Sequence, residues 1–334
     1  MTWLGGKPTV ARRKRKLPAV AMLAAMLCLV ALVAGMAGMA TARSAGAATA
    51  TAQTLPIGTI FTGLATEITA PTSMPPGSDD WSCHVSAQHP YPVVLVHGTI
   101  ANQALSWQAL SPMLANAGYC VYGFNYGATS LTFGHVFGLA PVQQSAAQLA
   151  AFVSRVLVAT GAPKVDIVGH SQGGMMPRYY LKFLGGAPKV NMLIGLAPSN
   201  YGTNLDGVTA LYGALSSSVP GLSFSTLGAP AFDQQFVGSS FLATLNHGGD
   251  TLPGVKYVVI ESRYDEVVTP YTNAFLHGAG AQNILLQNQC ASDYTEHIGI
   301  IYDPVALQDV MNALGPDSQA FRPACSLGLP LFSG

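Results

Sequence analysis

Charge is scarce in this chain. Only 9 % of its 334 residues are Asp, Glu, Lys or Arg, and 15 basic residues cancel 15 acidic ones. The cancellation hides a lopsided distribution. Lys7, Arg12, Arg13, Lys14, Arg15, Lys16 and Arg43 lie in the first 47 residues, where there is no acid. The remainder holds eight basic residues against all fifteen acids, a net of −7. A mildly acidic body has no basic face to lay on a phosphate backbone, which argues against a nucleic-acid partner. Cofactor signatures are missing as well. The glycines match neither G-x-G-x-x-G nor a P-loop, so no nucleotide site is read, and nothing marks haem or flavin. No C-x-x-C or H-x-x-x-H spacing offers a zinc site. The expectation is a protein with no cofactor and no metal.

The basic cluster Arg12-Arg13-Lys14-Arg15-Lys16 leads into an apolar Ala/Leu/Met-rich run from Leu17 to Ala40, then into Ala45-Gly46-Ala47. This is the n-region, h-region and small-residue cleavage site of a secretory signal peptide over 1–47. The run is long for an h-region, so an uncleaved anchor is the rival reading. Residues 48–60, rich in Ala and Thr, are expected to be a flexible leader, and 61–334 one large domain. Cys28 falls in the signal segment. Cys83, Cys120, Cys290 and Cys325 remain, and an even number in an exported chain argues for two disulfides. Three pairings are open; the sequence-local one, Cys83–Cys120 with Cys290–Cys325, is preferred.

The centre of the chain is Val165–Tyr180, VDIVGHSQGGMMPRYY. An apolar run reading as a buried strand is followed by Gly169-His170-Ser171-Gln172-Gly173 and then a helical pattern. A serine on a tight strand-to-helix turn needs neighbours almost without side chains, which the glycines supply. Around it, strands are expected at Pro92–Val96, Tyr119–Phe124, Val190–Ala197, Val255–Ile260 and Ile284–Leu286. Helices are expected at Trp107–Asn116, Val142–Leu157 and Asp303–Leu314, and residues 61–90 as loop with a strand fragment. Strands alternating with helices give an α/β fold, a doubly wound and mainly parallel sheet. Residues 198–249 break the alternation. They are nearly free of charge, with a possible helix stripe of Val208, Leu211, Tyr212 and Leu215, and read as an inserted cap or lid bordering an acyl pocket.

A serine hydroxyl is a weak nucleophile until a histidine takes its proton and a carboxylate holds that histidine in the right tautomer. In this fold type the order is serine, acid, histidine. Asp265 follows a strand's carboxyl end and His297 lies between the last strand and the last helix, so Ser171, Asp265 and His297 are the expected catalytic set. Glu266 is the alternative acid, expected to face solvent. His247 sits in cap sequence, and His277 is expected to pack behind an apolar run. His170, inside the turn, is read as structural. The oxyanion that forms on attack should be met by the amides of Gln172 and of Thr99, in His97-Gly98-Thr99 after the first strand. The Thr99 hydroxyl is a further candidate donor.

The segments VVLVHGT, GYCVYGFNYG, VDIVGHSQGG, LAPSNYGT, RYDEVVTPY and EHIGI, spread from Tyr91 to Ile301, resemble the secreted triacylglycerol lipases of the α/β-hydrolase superfamily. The likeness is to actinobacterial class 2 lipases and, more faintly, to the yeast lipase B group. It implies Ser171 as nucleophile, Asp265 as acid, His297 as base, and Thr99 and Gln172 as oxyanion donors. It also supports the local disulfide pairing. The stretch between LAPSNYGT and RYDEVVTPY has no counterpart in the resemblance. Some bacterial lipases hold a structural calcium; Asp303, near His297, is the one candidate ligand here.

The sequence therefore points to a secreted, extracellular serine lipase or carboxylesterase. Its partner is a lipid or other acyl ester, with a lipid–water interface as a possible meeting place. An acyltransferase or polyester hydrolase would use the same site. A binding module without catalysis is the alternative from another class.

Overall fold

A computed structural model describes residues 54–207, 223–315 and 320–328. The expected signal peptide, the first part of the leader and the stripe Val208, Leu211, Tyr212 and Leu215 lie outside those residues.

The first described element contradicts two expectations. Residues 54–60 are anchored rather than a free leader: Leu55 exchanges two hydrogen bonds with the Asn116 side chain, and the Gly58 amide donates to Gln108 O at 2.9 Å. They feed α1, Ile60–Thr69, where only loop and strand were expected. A Thr59/Thr62 capping box starts this helix. Its Thr and Gly content hides it, because both are weak helix formers. Gly63 is there for contact: a Cβ at this position would strike the Tyr302 hydroxyl.

The strands follow as β1 Val93–Val96, β2 Val121–Gly123, β3 Val165–His170, β4 Val190–Leu196, β5 Lys256–Glu261 and β6 Ala281–Leu285. They form one sheet in the order β2-β1-β3-β4-β5-β6, and every pairing is parallel. Both faces are covered, as parallel sheets require. Val94, Val96, Ile167, Leu193, Tyr257 and Val259 pack beneath α3, Val142–Thr160, and α4, Gln172–Phe183. Val93, Leu95, Val168, Ile194 and Ile260 face α2, Leu110–Asn116, and α7, Pro304–Leu314. The alternation along each strand is the period-two pleat made visible.

Helix α3 turns Val142, Ala146, Leu149, Val153 and Val156 wholly inward and ends at Gly161, whose φ of 67° makes the left-handed cap. Leu149→Ala should lower unfolding free energy by about 2–5 kcal/mol through the cavity it leaves. Val158→Ala, at a residue 85 % exposed on the opposite face, should stay within about 0.5 kcal/mol. Denaturant midpoints measure both. Between β4 and β5, α5 Pro230–Gln235 and α6 Ser240–Asn246 pack together.

Disulfides join Cys83 to Cys120 and Cys290 to Cys325. The first fastens the segment before β1 to the start of β2. The second clamps the loop after β6, close before His297, to the tail at 320–328. Among the described residues no helix is long and apolar enough to cross a membrane.

Candidate active site

The strand order reverses between β1 and β3, because the chain goes outward to β2 and then returns to the far side of β1. In open α/β sheets, ligands collect at that switch point, beyond the strands' carboxyl ends. Thr99 follows β1 there and Ser171 follows β3. Asp265 and His297 lie beyond β5 and β6 at the same edge.

Ser171 sits between β3 and α4 with φ 54° and ψ −122°, a strained conformation for a residue with a Cβ. What imposes it is crowding. A Cβ on Gly169 would collide with the Gly173 carbonyl, and one on Gly173 with the carbonyls of Val96 and His97. The turn can close only with glycine at both places. The Ser171 amide donates to Leu196 O at 2.9 Å, locking the turn to the next strand. Gln172 is the first residue of α4, so its amide has no partner within the helix and carries the helix's positive end.

The loop after β1 is held by His97, which is fully buried and stacks on Tyr126 with ring centroids 4.3 Å apart. His97 Nδ1 donates to Gly98 O at 2.8 Å, while Nε2 accepts from the Tyr126 amide at 3.4 Å. Burial pushes its pKa down to about 4, so the ring is neutral and serves as scaffold. Thr99 beyond it has an unusual surround. Its Oγ1 accepts from Gln172 Nε2 at 3.0 Å and from Gln235 Nε2 at 2.9 Å. Both amide orientations are fixed, because the same nitrogens donate to Gly138 O and Ala231 O, which can only accept. Two donors occupy both lone pairs of the Thr99 oxygen, so its own proton must point elsewhere.

His297 is 4 % exposed, and its Nδ1 donates to Asp265 Oδ2 at 2.7 Å. Asp265 Oδ1 accepts the amides of Val267 and Val268 at 2.8 and 2.7 Å, which aims the carboxylate. Burial disfavours the imidazolium, but the charge and hydrogen bond of Asp265 outweigh it, and Glu296 and Glu266 add to them. The net result raises the His297 pKa above its ordinary value. His170 Nε2 donates to His297 O at 2.9 Å, and the two rings lie 4.8 Å apart, so the residue before Ser171 braces the backbone of His297.

The remaining candidates are placed differently. Glu266 makes no bond to His297; it is half-buried rather than facing solvent, and burial, then Glu296 and Asp265, push it up to about 7. His247 is exposed. His277 is exposed as well, where packing was expected, with its ring 5.1 Å from that of Tyr201. Asp303 caps α7 by accepting from Ala306 N at 2.8 Å and also accepts from Thr295, so hydrogen bonds occupy it. Among the described residues no group of three His, Cys, Asp or Glu side chains is placed to hold a metal. Gln235 was not legible in the sequence, because a lone glutamine at the end of a short helix carries no spacing signal.

The chain matches the family described as Lipase (class 2) over residues 90–309. Triacylglycerol lipases from Pseudarthrobacter phenanthrenivorans and Burkholderia plantarii are each 38 % identical over 94 residues, 27 % of this chain. That stretch is 27 % and 24 % of their own lengths, so the match spans about a quarter of these relatives. Lipase B of Aspergillus fumigatus superposes with a TM-score of 0.55 at 22 % identity, over 75 % of this chain and 57 % of that one. This likeness supports the α/β-hydrolase fold. With two thirds of its length in the family match, the chain belongs to the class 2 lipases.

Proposed function

We propose that this protein is a serine ester hydrolase acting on acyl esters of lipids, triacylglycerols among them, through an acyl-enzyme on Ser171. The observation that carries the reading is the 2.7 Å bond from His297 Nδ1 to Asp265 Oδ2, beside a strained serine turn. With Nδ1 holding its proton for Asp265, Nε2 is the free base. His297 takes the Ser171 proton as Oγ attacks the ester carbonyl. The oxyanion is met by the amides of Gln172 and Thr99 and by the Thr99 hydroxyl, whose proton the two glutamines leave free. His297 then protonates the leaving alcohol. Water, deprotonated by the same imidazole, releases the acid.

A lipid substrate is supported by the rim. Leu131, Phe133 and Leu227 are exposed, Phe133 by 76 %. Their loops meet: a Cβ on Gly228 would lie 3.5 Å from Leu131 Cγ. The first of these loops runs on to Gly138 against Thr99, so the apolar rim borders the oxyanion side of the site. Secretion is part of the proposal, supported by two disulfides, which persist in oxidising compartments, and by the signal-like residues 1–47.

The test is release of p-nitrophenol from acyl esters of increasing chain length, below and above their solubility limit. The proposal predicts turnover that rises once substrate forms an interface; no hydrolysis of any ester would refute it. Thr99→Val, which removes the hydroxyl but keeps the amide, should lower kcat by roughly a hundred- to a thousand-fold with KM little changed. A loss confined to KM would place Thr99 in substrate binding instead.

A further inference from the structure

We propose that Glu261 is a positioning residue for Asp265: a neutral carboxylic acid, sealed behind the site, that donates a hydrogen bond to the Asp265 carboxylate. The inference rests on the reading of Asp265 and His297 as acid and base, and it says how strongly that acid holds the imidazolium.

Glu261 ends β5, four residues before Asp265, and is 0 % exposed. Its Oε1 accepts the Ser262 amide at 2.7 Å. Its Oε2 is enclosed and meets no N–H or O–H donor among the described residues. What that side chain does meet is the carboxyl group of Asp265, within hydrogen-bond reach. Two carboxyl groups in contact need a proton between them, since two like charges in a buried site repel strongly. The donor count decides where the proton resides. Asp265 accepts three N–H groups, from Val267, Val268 and His297, and these hold its charge in place. Glu261 accepts one. The proton therefore belongs on Glu261 Oε2, and that atom ceases to be an orphan by donating to Asp265. Burial, then the charge of Asp265, push Glu261 well above the usual carboxyl range, in the same direction.

The groups facing this pair come from three elements. Glu266 lies on the loop of Asp265 itself, Glu296 and His297 on the loop after β6, and His170 at the turn after β3. Burial and the neighbouring His297 keep His170 neutral. Among the described residues facing this pair, positive charge forms on the imidazolium of His297, which has carboxyl groups around it. A fourth donor to Asp265 spreads the carboxylate charge and weakens its grip on that imidazolium. Glu261 thus lets His297 return its proton to the leaving alcohol, in a setting whose other carboxylates favour keeping it.

The experiment compares the pH profile of kcat/KM for the full-length wild type, Glu261→Gln and Glu261→Leu. Glutamine keeps an N–H donor of the same reach but has no proton to lose. Leucine removes the donor. The acid limb should move up by about one pH unit in Glu261→Leu and stay at its wild-type position in Glu261→Gln. At alkaline pH the wild type should lose activity as Glu261 ionises beside Asp265, and Glu261→Gln should lack that loss. Equal limbs in all three proteins would overturn the inference, as would an alkaline loss in Glu261→Gln matching the wild type. Should Glu261→Leu fail to fold, the alkaline limb of the glutamine variant decides alone. Asp265→Asn, run alongside, keeps the failures apart. Full turnover in that variant removes the underlying reading, whereas a crippled Asp265→Asn with indistinguishable Glu261 profiles removes only this inference.

Discussion

Ser171→Ala is expected to lower ester turnover by roughly a million-fold, with the fold unchanged. Both halves follow from local structure. The Ser171 hydroxyl makes no hydrogen bond to the rest of the described protein, so its removal breaks no contact that holds the turn. The strained φ of 54° is imposed by the flanking glycines and by the Leu196 bond to the Ser171 amide, and alanine inherits all of these. What disappears, on the proposed mechanism, is the atom that bonds to the acyl group. Residual hydrolysis of roughly a thousand-fold over water should persist, since the proposed oxyanion donors remain. The check pairs kcat from p-nitrophenyl esters with a melting curve. A retained melting point with collapsed kcat is the expected pattern.

Asp265→Asn is expected to cost roughly ten-thousand-fold in kcat. The carboxylate serves two loops at once: Oδ1 fixes the Val267 and Val268 amides, and Oδ2 fixes His297. Asparagine can keep its oxygen on the two amides. It then presents –NH2 to His297 Nδ1, which has to become an acceptor. The ring proton shifts to Nε2, and the base arrives already protonated. Geometry survives while function does not. The effect should appear in kcat, and melting should fall only modestly. A loss smaller than about tenfold would show that Asp265 does not set the tautomer.

How much of this was legible beforehand depends on the range of the interaction. The inner strands could be read because a sheet buried on both faces needs continuous apolar runs, as in VVLV and VDIV, whereas the edge strand expected at Ile284–Leu286 runs over Ala281–Leu285 with exposed polar residues at its centre. The serine turn could be read because its crowding leaves only glycine at 169 and 173. The Asp265–His297 partnership was legible from chain order, since those residues follow successive strands. Helix α1 was hidden because what holds it is a capping box and the contact of Gly63 with Tyr302, far along the chain. Gln235 and Glu261 were hidden for the same reason. Each meets a partner brought close only by folding, and a glutamine ending a short helix or a glutamate ending a strand has no local signature. The hydrogen bond from His170 to the His297 backbone joins residues 127 positions apart and leaves no trace in the sequence around His170.

The most direct measurement of the central claim is to quench a turning-over sample with acid and map the acyl group by peptide mass spectrometry. One acylated peptide, containing Ser171, is expected to form in a burst with the first equivalent of p-nitrophenol, to be absent from Ser171→Ala and to be greatly slowed in His297→Ala. Full ester turnover with no adduct on Ser171, or an adduct that resides on another residue, would contradict it.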